Sequence, residues 1–174
     1  MISDEIQIGL AGPEANVYTA LQGIEDQAVI FAQLTQRDGS FLVGREPIEN
    51  FSLELLGEME RAEIIGGRAG GAPEMTLEYV LKTNGLDIGV DDAAKTVNVR
   101  TDIQFAAMGG SFVSGEGDFV TLFEPTATQF EKEGKGYILT AIGAHSGNIP
   151  FTAYSATKSY MEANPDVIQR FTNA

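Results

Sequence analysis

Between residues 62 and 143, short apolar segments alternate with segments that have the character of amphipathic helices. Residues 62–67 and 118–123 are apolar runs of strand length, while 72–85 and 124–134 carry a proline near their start, as helices often do. Continuous apolar strands are typical of a sheet that is covered by helices on both faces. The pattern therefore predicts an α/β fold with a mostly parallel sheet flanked by helices.

The same criteria place further elements outside this region. We expect a strand at 5–12, a helix at 12–23, strands at 27–36 and 41–45, an extended segment at 149–157 and two short helices up to residue 174. The dipeptide Asp38-Gly39 is the strongest turn signal in the chain and predicts that the strand after it returns along the strand before it. The alternation of residues 95–103 predicts a half-exposed strand. Asn164, which precedes Pro165, predicts the cap of the last helix.

The chain is strongly acidic, with 25 Asp and Glu residues against 11 Lys and Arg residues and a net charge of −14. Nucleic acids and anionic membrane surfaces bind basic patches, so this balance argues against both kinds of partner. No apolar run approaches the ~20 residues of a membrane span, and the N-terminal sequence lacks a signal-peptide pattern. We therefore expect no nucleic-acid partner and no direct membrane insertion. An acidic protein can still carry a locally positive site for an anion.

The residues that usually carry catalysis are scarce. The chain has no cysteine, which excludes disulfides, thiolate catalysis and zinc–sulfur sites. His145 is the single histidine, and its glycine-rich surroundings at 143–148 favour an exposed loop residue over a general base or metal ligand. Ser146 beside it lacks the pattern of a nucleophile elbow. We therefore assign no catalytic residue, no metal ligand and no cofactor site, and we expect no enzyme activity.

The segment 64–76 reads IIGGRAGGAPEMT and places four glycines around Arg68. Its glycines do not have the spacing of a dinucleotide-binding motif, and Ala72-Pro73 stands where a nucleotide P-loop needs lysine and a hydroxyl. What the pattern retains is a helix start with unpaired N–H groups, which favours a small polar or anionic group. The alternative is a tight strand–helix turn in which the glycines adopt positive φ.

Two other loops follow the same order of strand, loop and proline at the helix start. Gly12-Pro13 follows the first predicted strand, and Glu124 lies between a buried strand and a helix. In an open parallel sheet, ligands bind outside the carboxyl ends of the strands, where such loops lie. The three loops are therefore candidate ligand contacts, although every strand–helix unit produces a loop of this kind.

Five stretches, taken in order, are typical of one family. They are IGLAGPEANVY, FAQLTQRDGSFLVGRE, IIGGRAGGAPEMTLEYVLKTNGL, GEGDFVTLFEPTA and IPFTAYSATKSYMEANPDVIQRFTNA. From about Ile6 to Ala174, the chain resembles the solute-binding proteins of ABC importers of the nitrate, sulfonate, taurine and thiamine-pyrimidine type. This resemblance implies a type II periplasmic-binding fold, in which two α/β lobes joined by crossover strands close on a ligand.

Placed on that fold, the chain resembles a fragment centred on the second lobe, without the export signal and most of the first lobe. Residues 1–46 would be a remnant of the first lobe with crossover strands, and 47–144 the second lobe. Residues 145–174 would be the return crossover and the start of the first lobe's closing helices. The full-length protein would be a periplasmic or extracellular lipoprotein that binds a small-molecule solute and works with a membrane permease.

The resemblance also implies which residues contact the solute. The second lobe would contribute Gly67, Arg68, Gly70, Gly71 and Glu74, the first lobe Gly12, Pro13 and Glu14, and Glu124 a further wall. Arg68 suits an anionic head group such as a sulfonate or nitrate, whereas the glutamates suit donors such as those of an aminopyrimidine. Two other functions stay open on the same fold. These are a cytosolic ligand-sensing domain and an enzyme of thiamine-pyrimidine biosynthesis.

Overall fold

The computed structural model describes residues 5–174, which form two compact units. One unit contains the described residues up to Gln36 together with 149–174, and the other contains 37–148. Within the described residues, no helix has the length and apolar character needed to cross a membrane.

The elements follow one another as strand and helix along most of the chain. The first part of the smaller unit contains β1 (Ile8–Ala11), α1 (Glu14–Leu21) and β2 (Ala28–Thr35). The larger unit contains β3 (Ser40–Gly44), α2 (Leu55–Glu58), β4 (Ala62–Ile65), α3 (Ala72–Thr83), β5 (Ile88–Val90), β6 (Val97–Arg100), a 3-10 turn (Phe105–Ala107), α4 (Met108–Val113), β7 (Phe119–Phe123), α5 (Thr126–Lys132), β8 (Tyr137–Ala141) and α6 (Ile142–Ser146). The smaller unit resumes with β9 (Thr152–Thr157), α7 (Lys158–Ala163) and α8 (Pro165–Asn173).

The larger unit is built on a six-stranded sheet in the order β5-β6-β4-β7-β3-β8. Strands β5, β6, β4 and β7 pair in parallel, with Ile65 of β4 opposite Arg100 of β6 and Val120 of β7. β3 runs antiparallel to both β7 and β8. The predicted α/β fold with a mostly parallel, helix-flanked sheet is confirmed. The carboxyl ends of β4, β6 and β7 therefore lie at one edge of the sheet.

Apolar clusters cover both faces of this sheet. Because neighbouring side chains of a strand point to opposite faces, Ile64 belongs to one cluster and Ile65 to the other. On the first face, the cluster that contains Ile64 also contains Leu77 of α3. On the second face, the cluster that contains Ile65 also contains Phe112 of α4. Burying one such side chain contributes about 1.5–3 kcal/mol relative to leaving it exposed. Two-sided burial explains why these strands read as continuous apolar runs.

The smaller unit contains a three-stranded antiparallel sheet in the order β1-β9-β2. Asn16 fixes α1 to this sheet, since its side-chain amide donates to the Ala28 carbonyl at 2.9 Å and to Ser155 Oγ at 3.0 Å. The Phe171 ring of α8 packs edge-on against Tyr154, with the ring centroids 4.9 Å apart. The last helix, α8, thus packs against β9 within this unit.

Two strand predictions were wrong. The strands on either side of Asp38-Gly39 do not pair, because β2 joins β9 whereas β3 joins β7 and β8. The buried Asp38 side chain instead accepts a hydrogen bond from Ser40 N at 2.6 Å, which turns the chain locally without a hairpin. Residues 95–103 were expected to form a half-exposed strand, but β6 is buried, because Val97 and Val99 pack in the same apolar cluster as Leu77 of α3 and Asn98 accepts the Asp92 N–H at 2.9 Å.

Two predictions at helix ends also differ from the structure. Asn164 stands at the start of α8, but its side chain donates to the Tyr160 carbonyl at 3.1 Å and so closes α7 instead of capping α8. The glycine-rich segment around His145 contains a short helix, α6, where a loop was expected. His145 is exposed as expected, and its Nε2 atom lies 2.8 Å from Thr140 Oγ1.

Candidate functional site

The glycine loop, residues 66–71, connects the carboxyl end of β4 to the start of α3. Gly67 and Gly70 have φ values of +97° and +68°, a region in which a side chain is unfavourable. The Gly66 N–H donates to the Arg100 carbonyl at 3.0 Å, which joins the loop to the end of β6. The Gly71 N–H donates to the Arg68 carbonyl at 3.0 Å. Two of the four glycines thus serve the turn itself, as the alternative interpretation of this segment predicts.

Arg68 lies on the exposed side of the glycine loop. Its guanidinium runs along Gly71, where a Cβ atom would lie 3.5 Å from Nη2 and 3.1 Å from the Arg68 carbonyl oxygen. The absence of a side chain at Gly71 therefore lets the arginine lie beside the first turn of α3. A cation at this end of a 12-residue helix adds to the partial positive charge of the helix N-terminus. Together they favour an anionic or strongly polar ligand.

Glu74, in the first turn of α3, is almost fully buried, with 2% of its surface exposed. Its Oε2 atom accepts a hydrogen bond from the Gly70 N–H at 2.9 Å. A carboxyl group in this position satisfies a backbone donor that the helix itself leaves open. Burial, with a further contribution from Glu78, raises the pKa of Glu74 to about 7. Glu74 therefore supports the loop from beneath, whereas Arg68 faces outward.

A cavity of ≈ 400 Å³ lies at the same edge of the sheet, beside the end of β7. Apolar and aromatic groups dominate its walls, among them Phe105, Met108, Phe123 and Phe130, with Thr121, Glu124 and Thr126 as polar groups. The rings of Phe105 and Phe123 are 5.8 Å apart at their centroids. Small-molecule sites combine such apolar walls with few polar groups. This cavity cannot be recognised in the sequence, because its aromatic walls are brought together from three separate elements.

Two contacts connect the cavity to the glycine loop. The Met108 sulfur lies 3.8 Å from the point that a Cβ atom on Gly67 would occupy. The Thr121 hydroxyl donates to the Ile65 carbonyl at 3.3 Å, so β7 holds the last residue before the loop. The loop and the cavity therefore lie next to each other at this edge of the sheet.

Glu124 is exposed and lines this cavity. Its carboxylate accepts hydrogen bonds from the backbone N–H and the hydroxyl of Thr128, at 3.2 and 2.7 Å, and so caps α5. The peptide bond between Glu124 and Pro125 is cis. Since the group is exposed, it can also contact a molecule in the cavity.

The predicted site residues fall into two groups. Gly67, Arg68, Gly70, Gly71, Glu74 and Glu124 lie together at the carboxyl edge of the larger sheet. Gly12, Pro13 and Glu14 lie in the smaller unit, where Gly12 and Pro13 connect β1 to α1 and Glu14 is the first residue of α1. There the Glu14 carboxylate folds back over Gly12 and occupies the space that a side chain at position 12 would need. The role of all nine residues in binding stays a prediction.

The described residues contain no group of three or more His, Asp or Glu side chains arranged to hold a metal ion. No residue of the candidate site is therefore assigned to a metal. The chemistry that the site offers is hydrogen bonding by loop N–H groups, the charge of Arg68 and Glu124, and apolar contact.

No family model matches the sequence. The chain is 39% identical over 174 residues to YtlA of Bacillus subtilis (strain 168), which is named only as a binding protein, with no solute given. The alignment covers 100% of this chain and 50% of YtlA, so the chain spans about half the length of this curated relative.

Two solved structures share the fold. The alkanesulfonate-binding protein SsuA from Xanthomonas axonopodis pv. citri, bound to MOPS, superposes with a TM-score of 0.71 at 16% identity, over 97% of this chain and 54% of that one. The periplasmic nitrate-binding protein NrtA from Synechocystis PCC 6803 gives a TM-score of 0.65 at 18% identity, over 94% of this chain and 44% of that one. At these identities the similarity shows that the fold is shared. In each case this chain corresponds to about half of the larger protein.

Proposed function

Since the chain has the type II periplasmic-binding fold of ABC-importer substrate-binding proteins, we propose that it forms part of such a solute receptor. The receptor would bind a small polar or anionic metabolite, such as a sulfonate or nitrate, between two lobes and present it to a membrane permease. The larger unit would supply one wall of the cleft, in keeping with the predicted second lobe at 47–144. The predicted ranges 1–46 and 145–174 would supply the crossover strands and the part of the first lobe that this chain contains.

The observation that carries this proposal is the position of Arg68 beside the N-terminal turn of α3, at the carboxyl edge of a parallel sheet. Ligands of open α/β sheets bind at this edge. An arginine next to a helix start is a local positive centre in a chain whose net charge is −14. The adjoining cavity of ≈ 400 Å³ provides space for the rest of the solute.

The same arrangement favours binding over catalysis. The site combines a cation, backbone donors and an apolar cavity, and the Thr128 hydroxyl that donates to Glu124 serves to cap α5. YtlA, SsuA and NrtA are all named as binding proteins. A periplasmic or extracellular location, with a lipoprotein anchor in the full-length protein, belongs to the same proposal.

The test is calorimetric titration of the chain with taurine, an alkanesulfonate, nitrate and an aminopyrimidine, using wild type, Arg68→Ala and Arg61→Ala. Arg61 is a matched control, because it is an exposed arginine that precedes β4 and pairs with Glu63. Loss of binding in Arg68→Ala but not in Arg61→Ala is the expected result. Unchanged affinity in Arg68→Ala would remove that residue from the site, and no binding of any probe to the wild type would contradict the proposed function.

A further inference from the structure

Glu74 is the most deeply buried charged residue of the candidate site, at 2% exposure. One of its oxygens, Oε2, accepts the Gly70 N–H at 2.9 Å. The other, Oε1, is buried and accepts no hydrogen bond from the described residues. An ionised carboxylate in this position would lose its hydration and recover only one hydrogen bond, which is unfavourable.

Glu78, one turn further along α3, explains how this burial is tolerated. Residues four apart share a helix face, so Glu78 places a second carboxyl group beside Glu74. Two neighbouring carboxylates repel each other, which favours the protonated form of one of them. Glu78 forms an ion pair with Lys82, which stabilises its charge. Glu74 is buried, and among the described residues its Oε1 atom has no partner, so Glu74 is the member of the pair that carries the proton.

We propose that Glu74 is a positioning residue that acts as a neutral acid, holding Gly70 through one oxygen without adding a negative charge beside Arg68, so that the glycine loop stays suited to an anionic solute. This inference rests on the proposed function and narrows its ligand to the anionic class. Arg68 suits an anionic solute, whereas a charged Glu74 would suit a hydrogen-bond donor. A neutral Glu74 removes this conflict, because it does not offset the charge of the arginine.

The arrangement makes the loop sensitive to pH. Burial first, and Glu78 second, raise the pKa of Glu74 to about 7, so its proton is lost near neutral pH. Ionisation places a negative charge in the first turn of α3, where it interacts with the same helix N-terminus as an anionic solute. The two anions then compete, and the charge is also repelled by Glu78.

The other titratable groups around Glu74 can be named from the elements that pack on α3. Lys82 lies on α3 itself and favours the ionised form. α6 carries His145, which is exposed and bonded to Thr140, and β5 carries no titratable side chain. β4 and β6, which share the apolar cluster of α3, carry Glu63, paired with Arg61, and Arg100, paired with Asp102 and Glu116. On the loop, Arg68 is the charged group. Glu78 is thus the neighbour that most favours the protonated form.

The first experiment follows the loop without any solute. In ¹⁵N and ¹³C NMR spectra between pH 5 and 9, the Glu74 carboxyl carbon and the Gly70 amide should titrate together with a midpoint near 7. Glu74→Gln retains an acceptor for the Gly70 N–H but cannot titrate, and should abolish the titration of the Gly70 amide. Glu78→Gln should move the Glu74 midpoint to lower pH. A Glu74 midpoint below 5, or a Gly70 amide that does not follow it, would overturn the inference.

The second experiment measures affinity for an alkanesulfonate at pH 6 and pH 8. We expect the wild type to bind about two- to fivefold more weakly at pH 8, the effect of one charge in the first turn of a helix. Glu74→Gln should bind equally at both values, whereas Glu162→Gln, an exposed control in the smaller unit, should behave as wild type. A Glu74→Gln variant that keeps the wild-type difference in affinity between pH 6 and pH 8 would contradict the positioning role. Failure of the probe to bind at either pH, with the NMR titration present, would instead contradict the proposed function and the anionic ligand.

Discussion

The Oε2 atom of Glu74 accepts the backbone N–H of Gly70 at 2.9 Å, so the helix that follows the glycine loop also holds it in place. A single buried side chain thus connects the conformation of the loop to the start of α3. Because Arg68 lies on the same loop, its position depends on this contact. Stability and binding should therefore respond to the same substitutions at this edge of the sheet.

The first prediction concerns the pH dependence of stability. The pKa of Glu74 is raised from 4.5 to about 7, so the folded protein binds more protons than the unfolded chain in this range. The contribution of Glu74 to the free energy of unfolding is therefore complete below pH 4.5, falls as pH rises towards 7 and stays low above it. The difference amounts to on the order of 3 kcal/mol.

Urea unfolding at pH 5 and pH 8 checks this sign. Relative to wild type, Glu74→Gln should gain stability at pH 8 and little or none at pH 5. Because both proteins carry the same other acidic groups, the difference between their unfolding free energies isolates the contribution of position 74. A Glu74→Gln variant that is destabilised equally at both pH values would show that the residue is needed only as an ionised group.

The second prediction concerns the left-handed glycine at position 70. Gly70→Ala forces a side chain into φ near +68° and should cost about 1–2 kcal/mol of unfolding free energy. Gly110→Ala is the matched control, because Gly110 lies in α4 without a positive φ and a Cβ there would contact nothing within 4 Å. Denaturant titration should show a loss for the first variant and none for the second. Equal effects would remove conformational strain as the reason for glycine at position 70.

The third prediction uses Glu124 to separate two kinds of solute. Glu124→Gln retains an acceptor for Thr128 but removes a negative charge from the cavity wall. If the solute is anionic, its affinity should rise severalfold, equivalent to about 0.5–1 kcal/mol. Calorimetric titration measures this change. A fall in affinity would instead indicate a solute that donates hydrogen bonds, such as an aminopyrimidine.

The fourth prediction concerns the core that supports the cavity. Phe112 is fully buried, packs in the second apolar cluster and carries the Arg45 guanidinium over its ring at 4.4 Å. Phe112→Ala should destabilise the chain by about 3–5 kcal/mol through lost burial and the void that remains. Val113→Ala on the exposed face of the same helix should cost much less. Thermal unfolding of the two variants distinguishes them, and a similar loss in both would contradict the packing of α4.

Hydrophobic patterning carried most of the fold prediction. Strands such as 119–123 are buried on both faces, so their apolar character is continuous and recognisable. Asp38-Gly39 predicted a hairpin that does not form, because a local turn signal does not determine which strands pair. The pairing of β3 with β7 and β8 depends on contacts far away in sequence.

The candidate site was predicted less completely. The glycine loop was recognisable because positive φ at Gly67 and Gly70 leaves a compositional signature. The aromatic cavity was not, since Phe105, Phe123 and Phe130 come from three elements that carry no common motif. The burial of Glu74 was also hidden, because a glutamate in the first turn of a helix is usually exposed.

The most direct test of the proposed site is a map of amide chemical shifts as the wild-type chain is titrated with an alkanesulfonate. The account predicts that the largest changes fall on Arg68, Gly70 and Gly71 and on the cavity residues around Met108, and that they saturate together. Saturating changes confined to residues outside the glycine loop and the cavity, or no changes at all, would contradict it.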